Sequence, residues 1–173
     1  MRVPAALTVG ALLLSTGVRR AEAAHPPRDS VWDARTSVSY RGGPFFVSRP
    51  TGAREAVCSP ATCDDFVLEV AFSADYVTTH PGESITVSLE WPTASNDFDL
   101  YVLDANGQEL TRSATTAVPE VARVPLSAGP YRLTVRVVPI KVRGESFTTN
   151  ISVSAAPARP PEASPLGGPE VHR

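Results

Sequence analysis

Carboxylates are the side chains of this chain whose grouping could do chemistry. Asn96, Asp97 and Asp99 crowd a loop-to-strand junction, and Asp104 and Asn106 follow in the next turn. In an extended segment, two-residue alternation puts Asp97 and Asp99 on one side. Oxygens so placed are candidate ligands for Ca²⁺, which takes about six to eight of them. The same side chains also suit turn capping, in which they accept backbone N–H bonds, and their spacing matches no complete calcium loop. Asn96, Asp97 and Asp99 are therefore candidate calcium ligands, with local capping the favoured role. A second acidic pair, Asp64-Asp65, follows Cys63. A glycosidase-like hydrolase would need two such carboxylates facing each other across an open groove.

The other catalytic residue types are poorly placed. Of three histidines, His25 and His172 lie near the ends, and only His80 falls inside the patterned region, in a turn before Pro81. A general base needs a partner that orients it, and none is legible beside His80. Cys58 and Cys63 are the two cysteines. An even count at close spacing in an exported chain reads as a disulfide that pins the turn Ser59-Pro60-Ala61-Thr62. Zinc ligation would need further ligands, and no third cysteine exists. No glycine-rich phosphate loop or paired-histidine metal motif is present. The chain is expected to be non-catalytic.

The elements that must position these residues are strands. Phe66, Leu68, Val70 and Phe72 alternate with Val67, Glu69, Ala71 and Ser73. Ile85, Val87, Leu89 and Trp91 alternate with Thr86, Ser88 and Glu90. A period of two marks a half-buried strand. Phe98–Leu103 carries apolar groups on both faces, which predicts a central strand. Asp104-Ala105-Asn106-Gly107 predicts a hairpin turn, since Asn-Gly tolerates the positive φ that tight turns need. Gln108–Arg112 returns from it. Val121–Leu126 contains Pro125, which predicts an edge strand. Tyr131–Val137 and Phe147–Ser154 are read as two further strands, and Val31–Val47 as one or two short strands around a Gly42-Gly43-Pro44 turn. Trp32, Tyr40, Phe45 and Phe46 there are either core or a binding face. No helical period of useful length is visible beyond the first residues. Short strands between Gly, Pro and Asn turns predict a β-sandwich or barrel.

The ends differ in kind. Arg2, the apolar run Val3–Val18 and the small-x-small triplet Ala21-Glu22-Ala23 read as a signal peptide over residues 1–23. The run is shorter than the roughly 20 apolar residues needed to span a bilayer. Cleavage would remove Arg2, Arg19, Arg20 and Glu22, three cations and one anion, taking the formal charge from −2 to −4. That acidity argues against nucleic acid as a partner. Residues 24–30 read as a linker, 31–154 as the β-domain, and 155–173 as a disordered, proline-rich tail.

One block carries a family resemblance. Cys63-Asp64-Asp65-Phe66, Ile85–Trp91, Asn96-Asp97-Phe98-Asp99-Leu100-Tyr101-Val102-Leu103-Asp104-Ala105-Asn106-Gly107 and Ala128-Gly129-Pro130-Tyr131-Arg132-Leu133-Thr134-Val135 resemble the bacterial pre-peptidase C-terminal domain over residues 58–154. The resemblance implies a jelly-roll-like antiparallel β-sandwich of about seven or eight strands, non-catalytic, and carried by secreted hydrolases. Some relatives bind calcium or fibrous polymers, but no full ligand set matches here. No catalytic domain precedes the module in this sequence. The expectation is a secreted, extracellular accessory module that recognises an extracellular polysaccharide or protein surface and leaves the membrane once cleaved. A self-associating envelope or matrix protein is the alternative, and a hydrolase using the carboxylate cluster is less favoured.

Overall fold

The computed structural model describes residues 24–48 and 62–155. The signal peptide expected at 1–23 and the tail beyond residue 155 lie outside these residues, as does Cys58. Eight strands and one short helix follow in the order β1 (Arg28–Trp32), β2 (Ser37–Ser48), β3 (Asp64–Phe72), α1 (Ala74–Thr79), β4 (Glu83–Glu90), β5 (Asp97–Leu103), β6 (Glu109–Ser113), β7 (Glu120–Pro125) and β8 (Gly129–Ala155).

The fold is the expected all-β, jelly-roll-like sandwich, but its two layers share a strand. The first part of β8 pairs with β3 on one side and β5 on the other. Its later part pairs with β2 and β4. One layer therefore runs β1-β3-β8-β5-β6, and the other runs β2-β8-β4-β7. The two strands expected at 131–137 and 147–154 are thus one continuous 27-residue strand. Register shifts opposite β8 occur between Asp97 and Phe98 and again between Gly42 and Phe46. Such bulges bend a strand and let it turn the corner from one layer into the other. Gly144, at φ +71°, sits beside the second of them.

Alternation on the inner faces builds the core. Phe66, Leu68, Val70 and Phe72 of β3 are buried, as are Ile85, Val87 and Leu89 of β4 and Phe98, Leu100 and Val102 of β5. Phe147 of β8 stands at the centre of the aromatic contacts. Its ring lies 6.0 Å from Tyr40, 6.1 Å from Phe45 and 5.7 Å from Phe98. Tyr40 stacks on Phe66 across the sandwich at 4.1 Å. Edge and offset arrangements of this kind add to simple area burial.

Several expectations are corrected. Residues 24–30, read as a linker, join the sheet: Ala24 is buried, His25 bridges to Arg41, and β1 begins at Arg28. Proline there hid the strand, because the ring removes a donor that this segment does not use. The pairing is antiparallel except for β1, which runs parallel to β3. Gly42-Gly43-Pro44 is no turn but an irregular stretch inside β2. A Cβ at Gly42 would come within 2.5 Å of the Phe147 ring, so only glycine permits this approach. Helix α1 was not expected. At six residues it is too short to show a period, and it rests on the Ser73 cap, whose hydroxyl accepts from the Tyr76 N–H at 3.0 Å. β7 lies at the end of its layer, as Pro125 predicted.

Truncating the central ring should be the costliest single core change. Phe147→Ala is expected to destabilise the domain by about 3–5 kcal/mol in denaturant unfolding, whereas Phe46→Ala, at a side chain 73% exposed, should change stability by less than about 1 kcal/mol.

Candidate functional site

The Asp104–Gly107 turn is self-bracing. Asp104 Oδ1 accepts the Asn106 and Gln108 N–H groups, each at 2.8 Å. The Gln108 N–H, followed by that of Asn106, holds the Asp104 carboxyl below its ordinary value. Gly107 supplies the positive φ, at +80°. Asp104, Ala105 and Asn106 of this turn line a groove of about 580 Å³. Val124 and Pro125 of β7, Ser127 beyond it, and Tyr131 and Leu133 at the start of β8 also line it. Leu110, 48% exposed, stands at its rim with Arg132. Burial raises the pKa of the Tyr131 phenol, against the lowering effect of the Ser127 backbone. The lining is mostly apolar with a few convergent polar groups, the usual make-up of a binding groove.

Asp97 and Asp99 do share one side of β5, as alternation required. Asn96, however, is committed elsewhere: its Nδ2 donates to Glu145 Oε2 at 3.1 Å, and its Oδ1 accepts the Arg143 N–H at 3.3 Å. Its carbonyl accepts the Trp91 indole N–H at 3.1 Å. These bonds fasten the loop before β5 to β8. Asp99 Oδ2 accepts from the Tyr101 hydroxyl at 3.2 Å. Burial, then the Asp99 charge, pushes that phenol up to about 12. Asp97 Oδ1 is buried without a partner, and its carboxyl is raised by burial and by Glu120 while Lys141 opposes the shift. Asp104 and Asn106 lie at the other end of β5. Among the described residues, no three His, Cys, Asp or Glu side chains converge in a way that could hold a metal ion.

His80 caps α1 and is exposed, with its ring stacked on Tyr76 at 4.1 Å and Nδ1 2.9 Å from the Tyr76 carbonyl. Of the undecided aromatics, Tyr40 and Phe45 are core. Trp32 is exposed under the Arg35 guanidinium, 5.5 Å away, and Phe46 covers Gly144.

Asp64-Asp65, the second acidic pair, is split across the two faces of β3. Asp65 points outward and takes a bidentate bond from Arg136, at 2.7 and 2.8 Å. Asp64 points inward, in phase with Phe66 and Leu68, and is 2% exposed. Its Oδ1 accepts the Ala24 backbone N–H at 2.6 Å, and its Oδ2 has no partner. Burial, against the relief of the Ala24 bond, pushes this carboxyl up to about 6. The clue was available: a carboxylate in step with the apolar side of a two-residue pattern must enter the core. Beside it, Cys63 is buried and is not a free thiol.

No protein-family model matches the chain, and no curated protein matches it. Among solved structures it is similar to the crystal structure of the pre-peptidase C-terminal domain of collagenase from Bacillus anthracis, with 13% sequence identity and a TM-score of 0.37 over 73% of this chain and 94% of that one.

The raised Asp64 value fixes the sign of a pH effect. A carboxyl whose folded pKa of about 6 lies above the ordinary 3.8 keeps its proton more tightly when folded. Its contribution is full below the lower value and is lost as pH rises through the higher one. While Ala24 remains in a peptide bond, stability is expected to fall between these two values, and Asp64→Asn should flatten that part of a melting-temperature profile.

Proposed function

We propose that this chain is a secreted, extracellular, non-catalytic binding module that recognises an extracellular polymer or protein surface through the groove between the Asp104–Gly107 hairpin and the start of β8. The observation that carries this reading is the groove itself. At about 580 Å³ it falls within the size range of ligand sites, and apolar walls meet Asp104, Asn106, Ser127 and Arg132 at its edges. Its walls are braced strands and a self-bonded turn, so little ordering would be needed on binding. An extended segment suits the open shape better than a compact small molecule.

Export supplies the setting, through the pattern Val3–Val18 and Ala21-Glu22-Ala23. A bond between Cys58 and Cys63 belongs to the same proposal, since an oxidising compartment would maintain it. Among the described residues, no helix is long and apolar enough to cross a membrane.

Panels of cell-wall polymers, polysaccharides and fibrous proteins can be tested in pull-down format with the mature chain. At least one is expected to be retained, and Leu110→Asp should weaken that retention about tenfold or more while leaving the melting temperature unchanged, because the side chain already faces solvent. Equal retention by the variant would move the binding face elsewhere. Retention of nothing would overturn the reading.

A further inference from the structure

Asp64 is an unusual tenant of a β-sandwich core. Among the described residues its one hydrogen-bond donor is the Ala24 N–H. The second carboxylate oxygen faces Gly42, where an added Cβ would come within 2.6 Å of it. Asp65 and Tyr40 are the titratable neighbours whose charges act with it. Neither supplies positive charge, and Asp65 is already occupied by Arg136. A buried carboxylate held by a single neutral amide is a costly arrangement, because burying an ion requires compensation by opposite charge and by full hydrogen bonding.

The donor's position in the chain supplies that compensation. Ala24 directly follows Ala21-Glu22-Ala23, the small-x-small triplet that marks a cleavage point after Ala23. Ala24 is itself buried. The chain behind it is pinned: the His25 N–H donates to the Arg41 carbonyl at 2.8 Å, and the Val67 N–H donates to the Pro27 carbonyl at 3.1 Å. The nitrogen that cleavage would free is therefore already held against Asp64.

We propose that signal peptidase hydrolyses the Ala23–Ala24 bond and that the new α-ammonium of Ala24 forms a buried ion pair with Asp64, so that processing completes the core. One water adds across the peptide C–N bond. Ala23 leaves with the leader as a carboxylate, and the Ala24 nitrogen takes up a proton to become an ammonium. That group has three N–H donors where the amide had one. One keeps the bond to Oδ1, and a second is available to the unpartnered Oδ2. The precursor would then be the less stable form and the exported chain the more stable one.

This inference rests on the export part of the proposed function and is independent of the groove. The chain is secreted from a bacterial host and its first residue is read by mass spectrometry, where Ala24 is expected. A chain beginning at Ala24 is then compared with the same chain preceded by Gly-Ser. The Ala24 form should melt about 5 °C or more above the extended form at pH 7, and Asp64→Asn should erase the difference. Its α-amino pKa, followed by NMR, should lie above the ordinary range of about 7.7–8.0, a readout that holds even if Asp64→Asn does not fold. Equal melting temperatures, an ordinary amine pKa, or a mature terminus at any other residue would overturn the inference. Secretion with cleavage elsewhere would leave the export reading standing, and retention of the uncleaved chain in the cell would overturn both.

Discussion

The hydrogen-bonding of one strand holds this molecule together. β8 runs from Gly129 to Ala155 and bonds to β3, β5, β2 and β4 in turn. Every other strand is attached either to it or to one of these four. In most sandwiches the two layers cohere only through side chains packed between them. Here the backbone ladder itself passes from one layer to the other, and the bulges at its bend set the angle between them. The inner faces then close because Phe147 lies on that strand and meets Tyr40, Phe45 and Phe98 from β2 and β5.

Placing the bend has consequences for what surrounds it. Phe147 needs the space that Gly42 leaves, and the same glycine allows the Asp64 carboxylate to approach. A hydrophobic contact and a buried charge thus depend on one missing side chain. The open end of the sandwich, where β8 begins, lies far from this crowding and keeps a groove. Leu133 and Phe72 are buried at that end as well, so only exposed groove residues such as Leu110 can change without loss of core packing.

Much of this was legible before any coordinates. The alternation of Phe66–Phe72 and Ile85–Leu89 gave both strand and facing, and Asn106-Gly107 gave the hairpin. Pro125 gave an edge. What was hidden has physical reasons. β8 looked like two strands because Pro139 and Gly144 are ordinary breakers, and only tertiary pairing shows that they bend the strand without ending it. β1 was masked by Pro26 and Pro27, whose missing N–H groups matter little where the neighbouring strand takes its bond from the Pro27 carbonyl. The candidate ligands Asn96, Asp97 and Asp99 follow one another closely in sequence, yet Asn96 is drawn to Arg143 and Glu145, 47 and 49 residues away. Spacing along a chain cannot reveal such a competitor. Asp64 is the opposite case, visible in the pattern but easily read with Asp65 as a solvated pair.

The claim that one strand unites both layers predicts that they open together. Native-state hydrogen exchange on the mature chain would compare the amides of Leu133 and Val135, in one layer, with those of Ile151 and Val153, in the other. The same opening free energy is expected for both sets, equal to that of global unfolding. Markedly faster exchange in one set, with the other still protected, would show two separable layers and contradict it.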